Sequence, residues 1–182
     1  MKGEPMTIEA LRTVQRIEER RGREGERASW PPGEWDNEPD LVEWRDKHTG
    51  YPCLVVRGPV GALCGYVGVP PEHPLHGKHY NDVDSQVNAH GGLTFASGCE
   101  EGGDICHVPL PGEPSDVWWF GFDCAHSGDV SPGLVAVTRK VRADHPELAE
   151  LEHSHLWRET YKTLAYVQAE VTTLAAELKL LA

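Results

Sequence analysis

Residues 49–70 read TGYPCLVVRGPVGALCGYVGVP, two apolar runs separated by Gly58-Pro59. Val, Leu, Cys and Tyr fill the runs, and the break carries the two residue types that most sharply interrupt regular backbone. Runs of this kind around such a break predict a β-hairpin. Working outward toward the C-terminus, QVNAHGGLTFA (Gln86–Ala96) is a further candidate strand. DVWWFGFD (Asp116–Asp123) is an aromatic strand closed by a polar turn, and LVAVTRKV (Leu134–Val141) is another. Gly- and Pro-rich loops lie between them (PPEHPLHGKHYND and SGCEEGGD). The expectation is an α+β fold in which residues 49–145 form a central, mainly antiparallel sheet.

The flanks read differently. Ile8, Leu11, Val14 and Ile17 recur every third residue and are followed by EERRGREGER, which has no apolar position. This predicts a helical arm within residues 1–28, weakly amphipathic from Thr7 and fraying into a solvated charge run by Arg27. SWPPGEWDNEPD (Ser29–Asp40) breaks regular structure with prolines, so residues 29–48 are expected to be an extended linker anchored by Trp30 and Trp35. Residues 146–182 are expected to be helical, with Pro146 in the first turn. Within them Leu164, Val167, Val171, Leu174, Leu178 and Leu181 step by 3, 4, 3, 4 and 3. Such a seam packs either on the sheet or against a second copy of the chain, giving a homo-oligomer through the C-terminal helix.

Charge and composition exclude several functions. The 182-residue chain has 17 Lys plus Arg against 29 Asp plus Glu, a net charge of −12. That balance argues against nucleic acid, whose binders need a basic face to displace counterions, and against anionic lipid. No apolar run approaches the roughly 18 residues of a membrane span, and MKGEPMTIEA does not read as a signal peptide. Five cysteines (Cys53, Cys64, Cys99, Cys106, Cys124) are an odd set without a disulfide pattern, which points to a reducing cytoplasm.

Three windows carry the chemistry. His73-Pro-Leu-His76-Gly-Lys-His79 offers imidazoles to a transition metal, although its spacing matches no established zinc signature. In the second window His90 stands before Gly91 and Gly92, whose missing side chains let backbone approach a ligand, and Thr94 can present its hydroxyl to the side Gly92 faces. The third window, WWFGFDCAHSGD (Trp118–Asp129), delivers Asp123, Cys124, His126 and Asp129 into one turn at a strand end. A strand end can hold reactive groups rigidly and still leave them accessible. Asp123, His126 and Asp129 with His90 make a ligand set for a divalent metal ion, with zinc as the candidate. The plainer alternative is an exposed turn whose aspartates cap backbone amides. In GCEEGGDICH (Gly98–His107), Cys99 and Cys106 can instead join Cys124, with His107 or His126 as the fourth ligand, in a structural zinc site of three cysteines and one histidine.

The strings GYPCLVVRGPVGALCGYVGVP, HGGLTF, WWFGFDCAHSGD and YKTLAYVQAEV together resemble a family of small hypothetical proteins from bacteria and their phages, over about Trp44 to Leu178. The resemblance implies a bacterial or phage-infected cytoplasm and brings no activity with it.

Three functions compete. The first is a metal-binding protein and metal-dependent hydrolase, with His90, Asp123, His126 and Asp129 holding the ion. Thr94 and the Gly91-Gly92 backbone would then position a small-molecule substrate. The second is a thiol enzyme using Cys124 with His90 or His126. The third is a non-enzymatic binding protein that sequesters a small ligand or partner, with at most a structural zinc and with Trp119 on the aromatic strand lining the ligand pocket.

Overall fold

In the computed structural model, which describes residues 14–18, 24–99, 105–147 and 159–182, the hairpin forms where its sequence predicts it. Strands β3 (Pro52–Arg57) and β4 (Leu63–Val69) pair antiparallel, with Val55 opposite Gly65. Gly61, at φ +85°, makes the turn and leaves room for the ring of Trp30. The aromatic run forms β6 (Trp118–Asp123), which pairs with β4 on one side and with the short β5 (Phe95–Gly98) on the other.

Two further strands lie where the sequence predicts a linker and a helix. Leu41–Arg45 is β2, a buried strand paired with β3, and Val14–Glu18 is β1, paired with β2 at the sheet edge. The full order is β1-β2-β3-β4-β6-β5, antiparallel throughout. β2 is hidden in the sequence because Glu43 and Arg45 interrupt its apolar residues. In the fold Glu43 is fully buried, accepts a hydrogen bond from the Val108 amide and pairs with Arg16 at 3.1 Å. Burial raises the Glu43 carboxyl above its ordinary value in spite of these partners. Cross-strand pairing therefore overrides the three-residue spacing around Val14 and Ile17. Within the described part of the expected N-terminal arm, helix is confined to one turn, α1 (Glu24–Arg27). The rest of that expected helix, residues 7–13 and 19–23, falls outside the described residues.

The strand expected over Leu134–Val141 is instead helix α2 (Pro132–Asp144). Ser131 is extended at its N-cap and Pro132 occupies the first turn, where a missing N–H costs nothing. Its β-branched run looked strand-like, but Leu134, Val137 and Val141 repeat at helical spacing. The candidate strand over Gln86–Ala96 survives only at its end. Asp84–Gln86 is a 3-10 turn, and Gly91 and Gly92, at φ +68° and +89°, turn the chain where a strand would run straight.

Helix α3 (Leu164–Leu180) begins at Thr163, whose hydroxyl accepts from the Tyr166 amide. Its seam is spent inside the chain. Val167, Val171, Leu174 and Leu178 are fully buried in the cluster formed with Val55, Leu63, Val67, Phe120 and Phe122. Gly65 makes the close approach possible, since a Cβ there would meet Val171 and the Phe122 ring. On the opposite sheet face, Leu41, Leu54, Val56, Val117 and Trp119 form a second cluster. Pro146, expected to open the C-terminal helix, instead follows the end of α2 at His145. A helix over 148–158 falls outside the described residues.

The Trp-rich segment is anchored as expected. The Trp35 indole donates to the Pro31 carbonyl and meets the ring of Tyr161 edge-on at 5.2 Å. None of the five cysteines is in a disulfide. Among the described residues, no helix is long and apolar enough to cross a membrane.

Candidate functional site

Asp129 is the joint of the site. β6 ends at Asp123, and the chain turns through residues 124–128 so that the Asp129 amide donates to the His126 carbonyl. The backbone then pairs with the segment leading into α3, Val130 N–H to Thr160 O at 3.0 Å and Thr160 N–H to Gly128 O at 2.9 Å. This pairing directs the Asp129 carboxylate inward, where its side chain is only 4% exposed.

Three segments meet on that carboxylate. His90 Nε2 donates to Oδ2 at 2.7 Å, the His126 amide donates to the same oxygen at 3.0 Å, and the Lys162 ammonium lies 3.4 Å from Oδ1. Burial by itself would raise the Asp129 carboxyl. The hydrogen bonds from His90 and the His126 amide, with the charges of His90 and Lys162, nevertheless hold it below its ordinary value. With Nε2–H of His90 directed at the carboxylate, the Nδ1 side of the ring faces the Tyr166 hydroxyl, 3.0 Å away.

His126 completes the arrangement. Its ring centre lies 5.5 Å from that of His90. Its Nδ1 is buried without a hydrogen-bond partner, 3.7 Å from Asp129 Oδ2. Ligand atoms of His90, His126 and Asp129 all lie within 4.8 Å of one another, and among the described residues no other His, Cys, Asp and Glu group of three or more does so.

The windows expected to meet therefore do meet, with changes of role. Asp123 stands at the rim, outside the ligand group. Its oxygens are taken by the Thr94 hydroxyl and the Ala125 amide, each at 3.0 Å, while Oδ1 lies 3.9 Å from His126 Nδ1. Thr94 thus serves Asp123. Gly91 and Gly92 make room for the protein's own groups: a Cβ on Gly91 would run into the His126 ring, and one on Gly92 would come 3.0 Å from Asp84 Oδ1. Cys124 is 2% exposed in the core beneath α3, and burial, reinforced by Asp129, pushes its thiol far above the ordinary range. It is no nucleophile. Trp119 is fully buried on the other sheet face and lines no pocket at this site.

The remaining candidates have structural partners. His73 accepts from the Leu75 amide and, through Nε2–H, donates to the Leu178 carbonyl at 2.9 Å, satisfying the end of α3. His79 accepts from the Asn81 amide and His76 lies 3.8 Å from Asp116, so that window assembles no ligand group. Cys99 and His107 sit against the second cluster while Cys124 belongs to the first, so the proposed structural zinc site does not form. Lys162 and Tyr166 were missed. They lie four residues apart with the Lys162 ammonium 5.5 Å from the Tyr166 ring centre, and their signal is the polar pair interrupting the start of the apolar seam.

Gly91→Ala is expected to destabilise the fold by about 1–3 kcal/mol, combining a strained left-handed backbone with displacement of the His126 ring. Gly77→Ala is the control, since Gly77 has φ +79° but open space around its Cβ. Urea unfolding of the two variants separates strain from collision, and equal losses would show that His126 does not pack on Gly91.

No family model, curated protein or solved structure matches this chain.

Proposed function

We propose that the chain binds a divalent transition-metal ion, with zinc as the first candidate, through His90, His126 and Asp129. The observation that supports this most is the convergence of two imidazoles and a carboxylate, with His126 Nδ1 buried and lacking a hydrogen-bond partner. An ion there gives that nitrogen a partner. Lys162 neutralises Oδ1 and leaves Oδ2 directed at the imidazoles. With an ion bound, His90 and Asp129 would give up their mutual hydrogen bond to serve as its ligands.

The finer reading is a metal-dependent hydrolase of small molecules. Three protein ligands leave a coordination position for water, the arrangement of catalytic rather than structural zinc. A zinc ion held there would supply a bound water with a pKa of ~7, and Asp123 would stand at the rim of the site, its Oδ1 3.9 Å from His126 Nδ1. The −12 chain repels anions at long range, and a bound dication reverses that field locally.

Metal analysis after zinc equilibration and desalting tests the first step. About one ion per chain is expected, and none in a folded His126→Ala variant. A folded wild-type chain that retains no metal overturns the site. A metal-loaded chain that cleaves neither ester nor phosphoester substrates keeps the site and removes the hydrolase.

A further inference from the structure

We propose that Cys99, with His107 as its base, is a nucleophilic thiol on the sheet face opposite the His90–His126–Asp129 site, reactive toward small uncharged carbon electrophiles. His107 is buried, and its Nε2 lies 3.3 Å from the Pro114 carbonyl oxygen. That oxygen only accepts, so Nε2 carries the proton and Nδ1 is left bare. Nδ1 points at Cys99 Sγ, 3.8 Å away, so the thiol donates to the imidazole. A nucleophile within reach of a base, itself oriented by a third group, is the general signature of an activated side chain.

Two features suit this thiol to attack. The indole N–H of Trp119 donates to Cys99 Sγ at 3.3 Å, where it can stabilise negative charge developing on sulfur. Burial, with the Arg45 charge, holds His107 neutral, which makes it a weaker base but leaves the Nδ1 lone pair directed at the thiol. Cys99 is partly exposed, in contrast to the buried Cys53 and Cys124. Phe95 and Ile105 are partly buried hydrophobics packed, like Cys99, against the second cluster, an apolar setting that favours an uncharged electrophile over an anionic one.

With iodoacetamide as the probe, the S–C bond forms as the C–I bond breaks. Iodide leaves with the bonding pair, and the thiol proton passes to His107 Nδ1 and on to water. A brief pulse of the reagent on the folded full chain at neutral pH, read by peptide mass spectrometry, ranks the cysteines within one sample. Cys99 is expected to react at least about tenfold faster than the partly exposed Cys64 and Cys106, and to lose that lead in His107→Gln. Comparable rates at Cys64 or Cys106, or an unchanged Cys99 rate in folded His107→Gln, would overturn the proposal. Should that variant not fold, wild-type chain in urea takes its place. There the lead must vanish, and a lead that persists traces to local sequence and refutes the role of His107.

Discussion

Asp40→Ala is expected to cost about 3–5 kcal/mol, a large part of the stability of an ordinary domain. Asp40 is 1% exposed and its Oδ1 accepts from two arginines, Arg57 Nε at 2.8 Å and Arg27 Nη1 at 2.5 Å. Arg57, also 1% exposed, further donates to the Gly61 carbonyl, to the Tyr161 hydroxyl and to Glu38. This cluster fastens the Trp-rich segment and the approach to α3 onto the hairpin. Removing the carboxylate leaves Arg57 charged and buried with its closest anion gone, and that desolvation penalty is the source of the loss. If the penalty is the cause, Asp40→Leu combined with Arg57→Met should be more stable than Asp40→Ala alone. Urea midpoints at unchanged slope measure both. A shift below about 1 kcal/mol for Asp40→Ala would mean that water or Glu38 compensates the arginines.

What the sequence reveals and what it hides divide along a physical line. The hairpin, the aromatic strand and α3 are legible because their apolar residues recur at the period of the element they form. β2 is not, because Glu43 and Arg45 are buried with partners brought from Arg16, Val108 and Glu113, far away in the chain. α2 is misread because Leu134, Val137 and Val141 look like a buried strand, yet they are 51%, 58% and 42% exposed on a helix. At the site, His90, His126 and Asp129 were legible as chemistry concentrated in strand-end turns. Which aspartate faces the imidazoles was not, because that is set by the pairing of Val130 with Thr160. The same limit hid the opposition of Cys99 and Cys124. They lie on opposite faces of the sheet, and only strand register reveals it.

Asp129→Asn is expected to remove metal binding and to cost about 2–3 kcal/mol without metal. The amide keeps the shape of the carboxylate and has one oxygen where the carboxylate has two. Either orientation sets its NH2 against a donor: His90 Nε2–H and the His126 amide on one side, or the Lys162 ammonium on the other. The backbone bonds of Asp129, Val130 and Thr160 do not involve the side chain, so the turn persists and the loss can be assigned to the carboxylate. Its pH dependence follows from the lowered folded-state value. Such a group contributes stability that is fully present above the ordinary aspartate value of 3.8 and is lost as pH falls through the lower folded value. The difference between wild type and Asp129→Asn should thus hold through neutral pH and shrink below about pH 4. A gap that widened in acid would contradict the depressed carboxyl. Zinc adds an independent axis, because a ligand bound only to the folded chain stabilises it in proportion to the logarithm of its concentration. Wild-type melting temperature should climb as zinc is raised while that of Asp129→Asn stays level. A parallel climb in both would place the ion away from Asp129 and leave that carboxylate a purely structural joint between His90, the strand-end turn and the start of α3.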